Sequence, residues 1–370
     1  MTKLNDLYAD YGQSPWIDNL RRDWLQDGTL KKYIDEGVRG LTSNPSIFAK
    51  TIGESSAYDS DIAASTETDP EKVFEKLAVS DVRGACDLLA PVNESAKAEF
   101  ASGSRRYLDG FVSLEVSPRL AHDTEGTIAA AKRLFGEVDR RNVMIKIPAT
   151  KEGLPAIRAV LGAGINVNVT LIFSVERYND VITAWRDGIS DAYSAGHDIG
   201  GIASVASFFV SRVDVAVDAL LPEGDPRRGT IANAQAAAAY QLYRGRVQEE
   251  KIRDLLTEGA QVQRPLWAST STKNPSYDDL LYVDRLVADE TVNTMPDKTL
   301  ADALDHGNFS TSYLLSDETC QATAALLEKL SPDVDLAKVS EQLELEGVAS
   351  FAKAYDELLA TVSSKMPALK

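Results

Sequence analysis

The sequence predicts an α/β protein, specifically a closed parallel (β/α)8 TIM barrel with additional helices between strands two and three and at the C-terminus. Three observations predict it. Strand-like segments alternate with helix-like ones eight times over about 250 residues, the spacing of a (β/α)8 barrel. No Gly-rich phosphate loop follows the first strand, as an open doubly wound sheet would normally carry; Gly162-Ala163-Gly164 precedes a strand instead of opening a helix. Several strands are apolar on one side and polar on the other, although parallel strands covered by helices ordinarily read as continuous apolar runs.

The first two strands are expected at Ser14–Leu20 and Val38–Asn44, where Trp16 and Asp18 share one face and Thr42 and Asn44 another. The third, Phe111–Ser117, sets Val112, Leu114 and Val116 against Ser113, Glu115 and Ser117. In the fourth, Val143–Pro148, Val143, Ile145 and Ile147 oppose Met144 and Lys146. The fifth, Ile165–Phe173, sets aliphatics against Asn166, Asn168 and Thr170. Ile202–Ser207, Pro265–Ser269 and Thr291–Met295 complete the set. Between strands, Thr124–Phe135 reads as an amphipathic helix capped by Asp123, and the Ala-rich Ala232–Lys251 as another. Residues 51–109 form a helical insertion and residues 311–370 a helical tail, with Val348, Phe351, Tyr355 and Leu358 at helical spacing. These extra helices are expected to cover the barrel within a single domain spanning residues 1–370.

Composition excludes several classes. A formal charge of −17 disfavours nucleic acid as a partner, because phosphate backbones need basic surface. It also means that any anion site must be built locally, by cations within about a Debye length. Cys86 and Cys320 form no disulfide framework, and His122, His197 and His306 show no metal-ligand spacing. No membrane-length apolar run appears, and Met1–Asp6 lacks the apolar core of a secretion signal, so a cytoplasmic location is expected. Oligomeric state stays open, because an exposed helix face and a subunit interface look alike in sequence.

A barrel's helix-facing side must be apolar, so the polar faces point inward. There they need partners or a ligand, since an unpaired buried polar group is costly. Polar residues at the C-terminal ends of strands line the active site of this fold. Asp18, Asn44, Glu115, Lys146, Asn168 and Thr170 are thereby expected in one pocket. Lys146 is the chemically telling member. An ordinary lysine is almost wholly protonated at pH 7, and burial that disfavours the ammonium yields an amine able to attack a carbonyl. Each residue also has a simpler role open to it. For Asp18 it is a helix cap, for Thr42–Ser46 a strand-to-helix turn, and for Glu115 an ion pair with Lys146. Arg212 has an exposed salt bridge with Asp214 as its simpler role, and Lys273 is otherwise an ordinary loop lysine.

Taken in order, five segments resemble the transaldolases, particularly their longer bacterial branch. They are Gly40-Leu41-Thr42-Ser43-Asn44-Pro45-Ser46, Val112-Ser113-Leu114-Glu115-Val116, Val143–Thr150, Asn166–Ser174 and Ser207-Phe208-Phe209-Val210-Ser211-Arg212. The resemblance implies transfer of a dihydroxyacetone unit from a ketose phosphate to an aldose phosphate, in the pentose phosphate pathway. It implies Lys146 as the Schiff-base lysine, Asp18 as general base, and Glu115 with Thr170 as the pair that positions a water. Asn44 and Asn168 would hold the retained unit, Ser207 and Arg212 the phosphate, and no metal or organic cofactor is required. Many transaldolases carry a second arginine after strand seven, where this chain has Ser269–Asn274 and so offers Lys273. Two alternatives compete. Related fructose 6-phosphate aldolases release free dihydroxyacetone and tend to carry a tyrosine where this chain has Phe209. A catalytically silent sugar-phosphate-binding barrel would be expected to lack Lys146, Asp18 or Glu115, and all three are present.

Overall fold

The computed structural model describes residues 2–366. Eight strands, β1 (Ser14–Ile17), β2 (Leu41–Thr42), β3 (Val112–Glu115), β4 (Val143–Pro148), β5 (Val167–Ile172), β6 (Ser204–Phe209), β7 (Arg264–Ala268) and β8 (Val292–Met295), pair in sequence order. Every pair is parallel, and β1 closes on β8 from Ser14↔Val292 to Ile17↔Met295, giving a closed barrel. All eight expected strands are present, the fourth with its expected bounds and the others with shifted ends. The second is only two residues long, because Asn44 leaves the sheet to cap the helix Pro45–Glu54, its Oδ1 accepting from Ile47 N at 3.0 Å. The sixth runs on through Phe209, so that residue ends a strand rather than opening the helix Ser211–Asp218.

The amphipathic helix after β3 spans Thr124–Val138, and the Asp123 carboxylate caps it through Gly126 N at 2.9 Å. The expected helix Ala232–Lys251 is instead two, Ile231–Arg246 and Glu250–Thr257. Val247 is drawn into the core at 5% exposure, and Glu249 turns extended (φ −64°, ψ 139°), which lets Ile252 and Leu255 bury on a new axis. Burial thus overrides helix propensity at the break.

The insertion consists mainly of helices Pro45–Glu54, Asp59–Ala64 and the 32-residue Pro70–Ala101. The tail contains helices Ser312–Leu315, Asp317–Leu330 and Leu336–Lys365; its last positions, 367–370, lie outside the described residues. Helix Leu336–Lys365 is tied to the end of β5 where Ser340 Oγ donates to Phe173 O at 2.9 Å. Farther along, Tyr355 Oη donates to Glu71 Oε1 at 2.9 Å and Lys365 Nζ to Asp59 at 2.7 Å. It therefore crosses the mouth of the barrel from the β5 side to the insertion. No helix among the described residues is long and apolar enough to span a membrane.

The opposite end of the barrel is plugged by a buried ionic network. Asp109, fully buried, accepts from Trp16 Nε1 at 2.9 Å, Arg39 Nε at 2.9 Å and Arg264 Nη2 at 3.3 Å. Arg264 also donates to Ser14 Oγ at 2.7 Å and stacks over Tyr107 at 4.2 Å. Gly40 is required beside this floor, since a Cβ there would lie 2.3 Å from the Trp16 ring. Burial alone would push the Asp109 carboxyl up, but Arg264 and Arg39 outweigh it and hold it below the usual range. A depressed carboxyl contributes stability above its unfolded value, and that contribution is lost as pH falls through the folded value. Asp109→Asn should therefore cost about 3–5 kcal/mol in urea melts at neutral pH, because it strands two guanidiniums. It should also lessen the fall in stability below roughly pH 4. An unchanged melting midpoint at neutral pH would contradict this account of the floor.

Candidate active site

At the C-terminal end of the strands lies a cavity of about 160 Å³. Strand register explains who meets there. Lys146 on β4 is the Cα partner of Glu115 on β3 and of Asn168 on β5, and all three face the barrel interior. Lys146 is 4% exposed, with Nζ 3.2 Å from Glu115 Oε2. That approach is a close ion pair lacking hydrogen-bond alignment. The directed bond runs from Nζ to Ser43 O at 3.3 Å, and Ser43 is itself held where its Oγ donates to Ser113 O at 2.8 Å. Glu115 Oε2 therefore keeps unused acceptor capacity. Burial raises the Glu115 carboxyl above its ordinary range, against the opposing pull of Lys146.

Asp18 follows β1 and lines the same cavity. It does not cap the next helix, which begins at Arg22 without a side-chain cap. Its Oδ1 accepts from Thr42 Oγ1 at 2.6 Å, and Thr42 Oγ1 lies 2.7 Å from Thr294 Oγ1. Burial pushes the Asp18 carboxyl up, with Lys146 and the Thr42 hydroxyl opposing. Thr170 Oγ1 lines the cavity, is buried, and has no protein partner. It sits beside a register shift in the β5–β6 pairing, where Leu171 takes φ 59°. A left-handed, branched residue of this kind costs on the order of 1–3 kcal/mol, and such strain concentrates at functional positions.

The two asparagines divide. Asn44 lines the cavity, but its carbonyl is committed to the helix cap, which leaves the amide NH2 to face a ligand. Asn168 is fully buried behind the wall. Its Nδ2 donates to Ser113 Oγ at 3.0 Å and its Oδ1 accepts from Ser207 Oγ at 2.7 Å. Ser207 lines the cavity at 2% exposure, so it belongs to the interior network around Asn168 rather than to the outer rim.

The rim is cationic. The Arg212 guanidinium lies 5.3 Å from the Phe209 ring and 5.9 Å from the Phe351 ring. The salt bridge to Asp214 is not formed, because Asp214 is buried and accepts from Ala232 N at 2.8 Å and Tyr282 Oη at 2.7 Å. Burial lowers the affinity of Arg212 for its proton, partly offset by Asp18. Lys273 donates to Ser271 Oγ, and burial together with the Arg212 charge pushes its ammonium down. Two such cations facing one cavity suit a doubly charged anion. Among the cavity residues not legible as site residues in sequence are Thr294 and Ser271, Phe351, which reads simply as part of an apolar helix face, and Ser269, which takes φ 58° just beyond β7. The polar run Ser269–Lys273 carried the only sequence signal for the latter. Among the described residues no group of His, Cys, Asp and Glu side chains is arranged to hold a metal ion.

The chain is similar to known proteins over nearly its whole length. The transaldolase/fructose-6-phosphate aldolase family model matches residues 15–362. A transaldolase 2 of Nostoc sp. is 42% identical, covering 97% of both chains. A transaldolase of Mycolicibacterium smegmatis is 45% identical over 97% of this chain and 96% of its own. That of Mycobacterium tuberculosis is 46% identical over 94% of this chain and 93% of its own. The family match over residues 15–362 and the near full-length similarity to these relatives show that the chain belongs to the transaldolase/fructose-6-phosphate aldolase family.

Proposed function

We propose that the protein is a cytoplasmic transaldolase that moves a dihydroxyacetone unit between sugar phosphates of the pentose phosphate pathway through a Schiff base on Lys146. The observation that carries this reading is the position of the Lys146 amine, buried 3.2 Å from Glu115 in a cavity that also holds Asp18 and the Arg212 guanidinium. The amine attacks C2 of the ketose phosphate, and loss of water leaves the protonated imine. That imine draws in the electron pair of the breaking C3–C4 bond, while Asp18 takes the C4 hydroxyl proton and the aldose phosphate departs. The enamine stays bound until a second aldose phosphate arrives and the steps reverse. Glu115 Oε2 and the Thr170 hydroxyl, both without directed protein partners, suit a water that shuttles protons during imine formation and hydrolysis. The Asn44 amide faces the retained unit, while Asn168 acts from behind the wall by orienting Ser207. Arg212 and Lys273 take the phosphate. Cleavage without transfer is the competing outcome; the phenyl of Phe209, which offers no hydroxyl to deliver a final proton, favours transfer.

Incubation with fructose 6-phosphate followed by borohydride should leave a three-carbon adduct on Lys146, discharged if erythrose 4-phosphate is added first. Sugar-phosphate binding without any adduct would instead indicate a silent binding barrel. Asp18→Asn, which preserves an acceptor for Thr42, should lower kcat by roughly 10²- to 10⁴-fold. Because the Asp18 carboxyl is raised, kcat/KM should climb with pH through a value above the ordinary carboxylate range as the base ionises. That limb should vanish in the variant, and its persistence would assign it to another group. Arg212→Met should raise KM for fructose 6-phosphate by roughly 10- to 100-fold. The point charge of Lys273, more open to solvent than Arg212, should matter less on substitution by Met; equal effects would show the two cations sharing the phosphate evenly.

A further inference from the structure

Phe351 has no part in the steps above, yet it is the residue of the C-terminal tail that lines the cavity. It is 4% exposed, and its ring centroid lies 5.7 Å from Lys146 Nζ and 5.9 Å from the Arg212 guanidinium. One aromatic ring thus reaches the reacting amine and the rim cation together. The helix that carries it is held on both sides of the mouth. Ser340 Oγ is bonded to Phe173 O, and Tyr355 Oη, about one turn beyond Phe351, is bonded to Glu71. The ring is therefore built into the site.

We infer that Phe351 is a specificity-determining residue that keeps stray water, other than the one suited to Glu115 and Thr170, from the three-carbon enamine on Lys146 and so favours transfer over release of dihydroxyacetone. The inference rests on the Schiff-base reading. When the aldose phosphate departs, it vacates part of the cavity while the three-carbon enamine stays on Lys146. Release then requires a proton at C3, addition of water to C2, and expulsion of the Lys146 amine, which yields free dihydroxyacetone and unmodified lysine. A phenyl ring next to Nζ neither donates nor accepts a proton and fills space where such a water would stand. Its π face also holds the Arg212 guanidinium beside the cavity, an interaction that strengthens as water is excluded. Truncating the ring should therefore open the hydrolytic branch more than it impairs carbon–carbon cleavage.

The test is a partition ratio: dihydroxyacetone released from fructose 6-phosphate alone, divided by sedoheptulose 7-phosphate formed when erythrose 4-phosphate is added. Phe351→Ala should raise this ratio about tenfold while the borohydride-trapped adduct on Lys146 still forms. Phe351→Leu, which keeps bulk and loses the π face, should fall between wild type and the alanine variant. If Phe351→Ala fails to fold, the leucine variant decides: a raised ratio supports the inference and an unchanged one overturns it. Tyr355→Phe removes the tail's bond to Glu71 but leaves the ring in place. A rise in that variant equal to that of Phe351→Ala would overturn the role of the ring in favour of simple tail anchoring. An unchanged ratio in Phe351→Ala, with wild type transferring normally, would also overturn it. Failure of the wild type to form the adduct would instead strike the Schiff-base reading itself.

Discussion

Closure of the sheet through the β1–β8 pair makes every inward-pointing side chain a buried one, and the rest of the molecule answers that constraint. A polar interior is tolerable only if its groups find partners. At the floor Asp109 is matched by two guanidiniums, an indole and a hydroxyl, although Arg39 Nη2 stays without a partner. Above it, Ser113, Asn168 and Ser207 form a chain of hydrogen bonds. At the top the answer is left unfinished. Glu115 Oε2 and Thr170 Oγ1 have no directed partner, and Arg212 is flanked by rings instead of being paired with a carboxylate. A paired carboxylate below and unpartnered cavity groups above make a scaffold that ends in a place for a ligand.

The electrostatics of that place run against the protein as a whole. The chain carries −17, whereas the cavity collects Lys146, Arg212 and Lys273 against Asp18, with Glu115 outside its lining but 3.2 Å from the Lys146 amine. Screening limits the repulsion of the distant acidic surface to about a Debye length, so the local excess of positive charge governs an anion once it arrives. Burial raises both carboxyls, which narrows the gap between their protonated and ionised forms. A carboxyl in that condition is suited to passing protons, and a fully exposed one is not.

The insertion and the tail do more than cover apolar surface. The tail helix crosses the mouth, is fastened to the insertion through Tyr355 and Lys365, and sets Phe351 over the amine. Two segments far apart in the chain thereby share one task, shaping the roof of a cavity whose walls are made by the strands.

Much of this was readable from residue order. Strand position and the inward set Asp18, Asn44, Glu115, Lys146, Asn168 and Thr170 follow from period-two alternation, a local property of neighbouring residues. The cationic rim was half legible, since Arg212 and Lys273 were visible but the salt bridge open to Arg212 was settled only by the burial of Asp214. Alternation could not show that Asn168 spends its amide on Ser113 and Ser207, that Asn44 keeps only one end free, or that the long Ala-rich helix breaks at Val247. Nor could it show that Phe351 leaves an apolar helix face to meet Lys146. The sequence by itself determined which residues face inward and what chemistry they bring, because that depends on local periodicity and side-chain type. Tertiary structure alone decided which of those groups are already satisfied and what roofs the site, because hydrogen-bond partners and excluded water are set by contacts between segments distant in the chain.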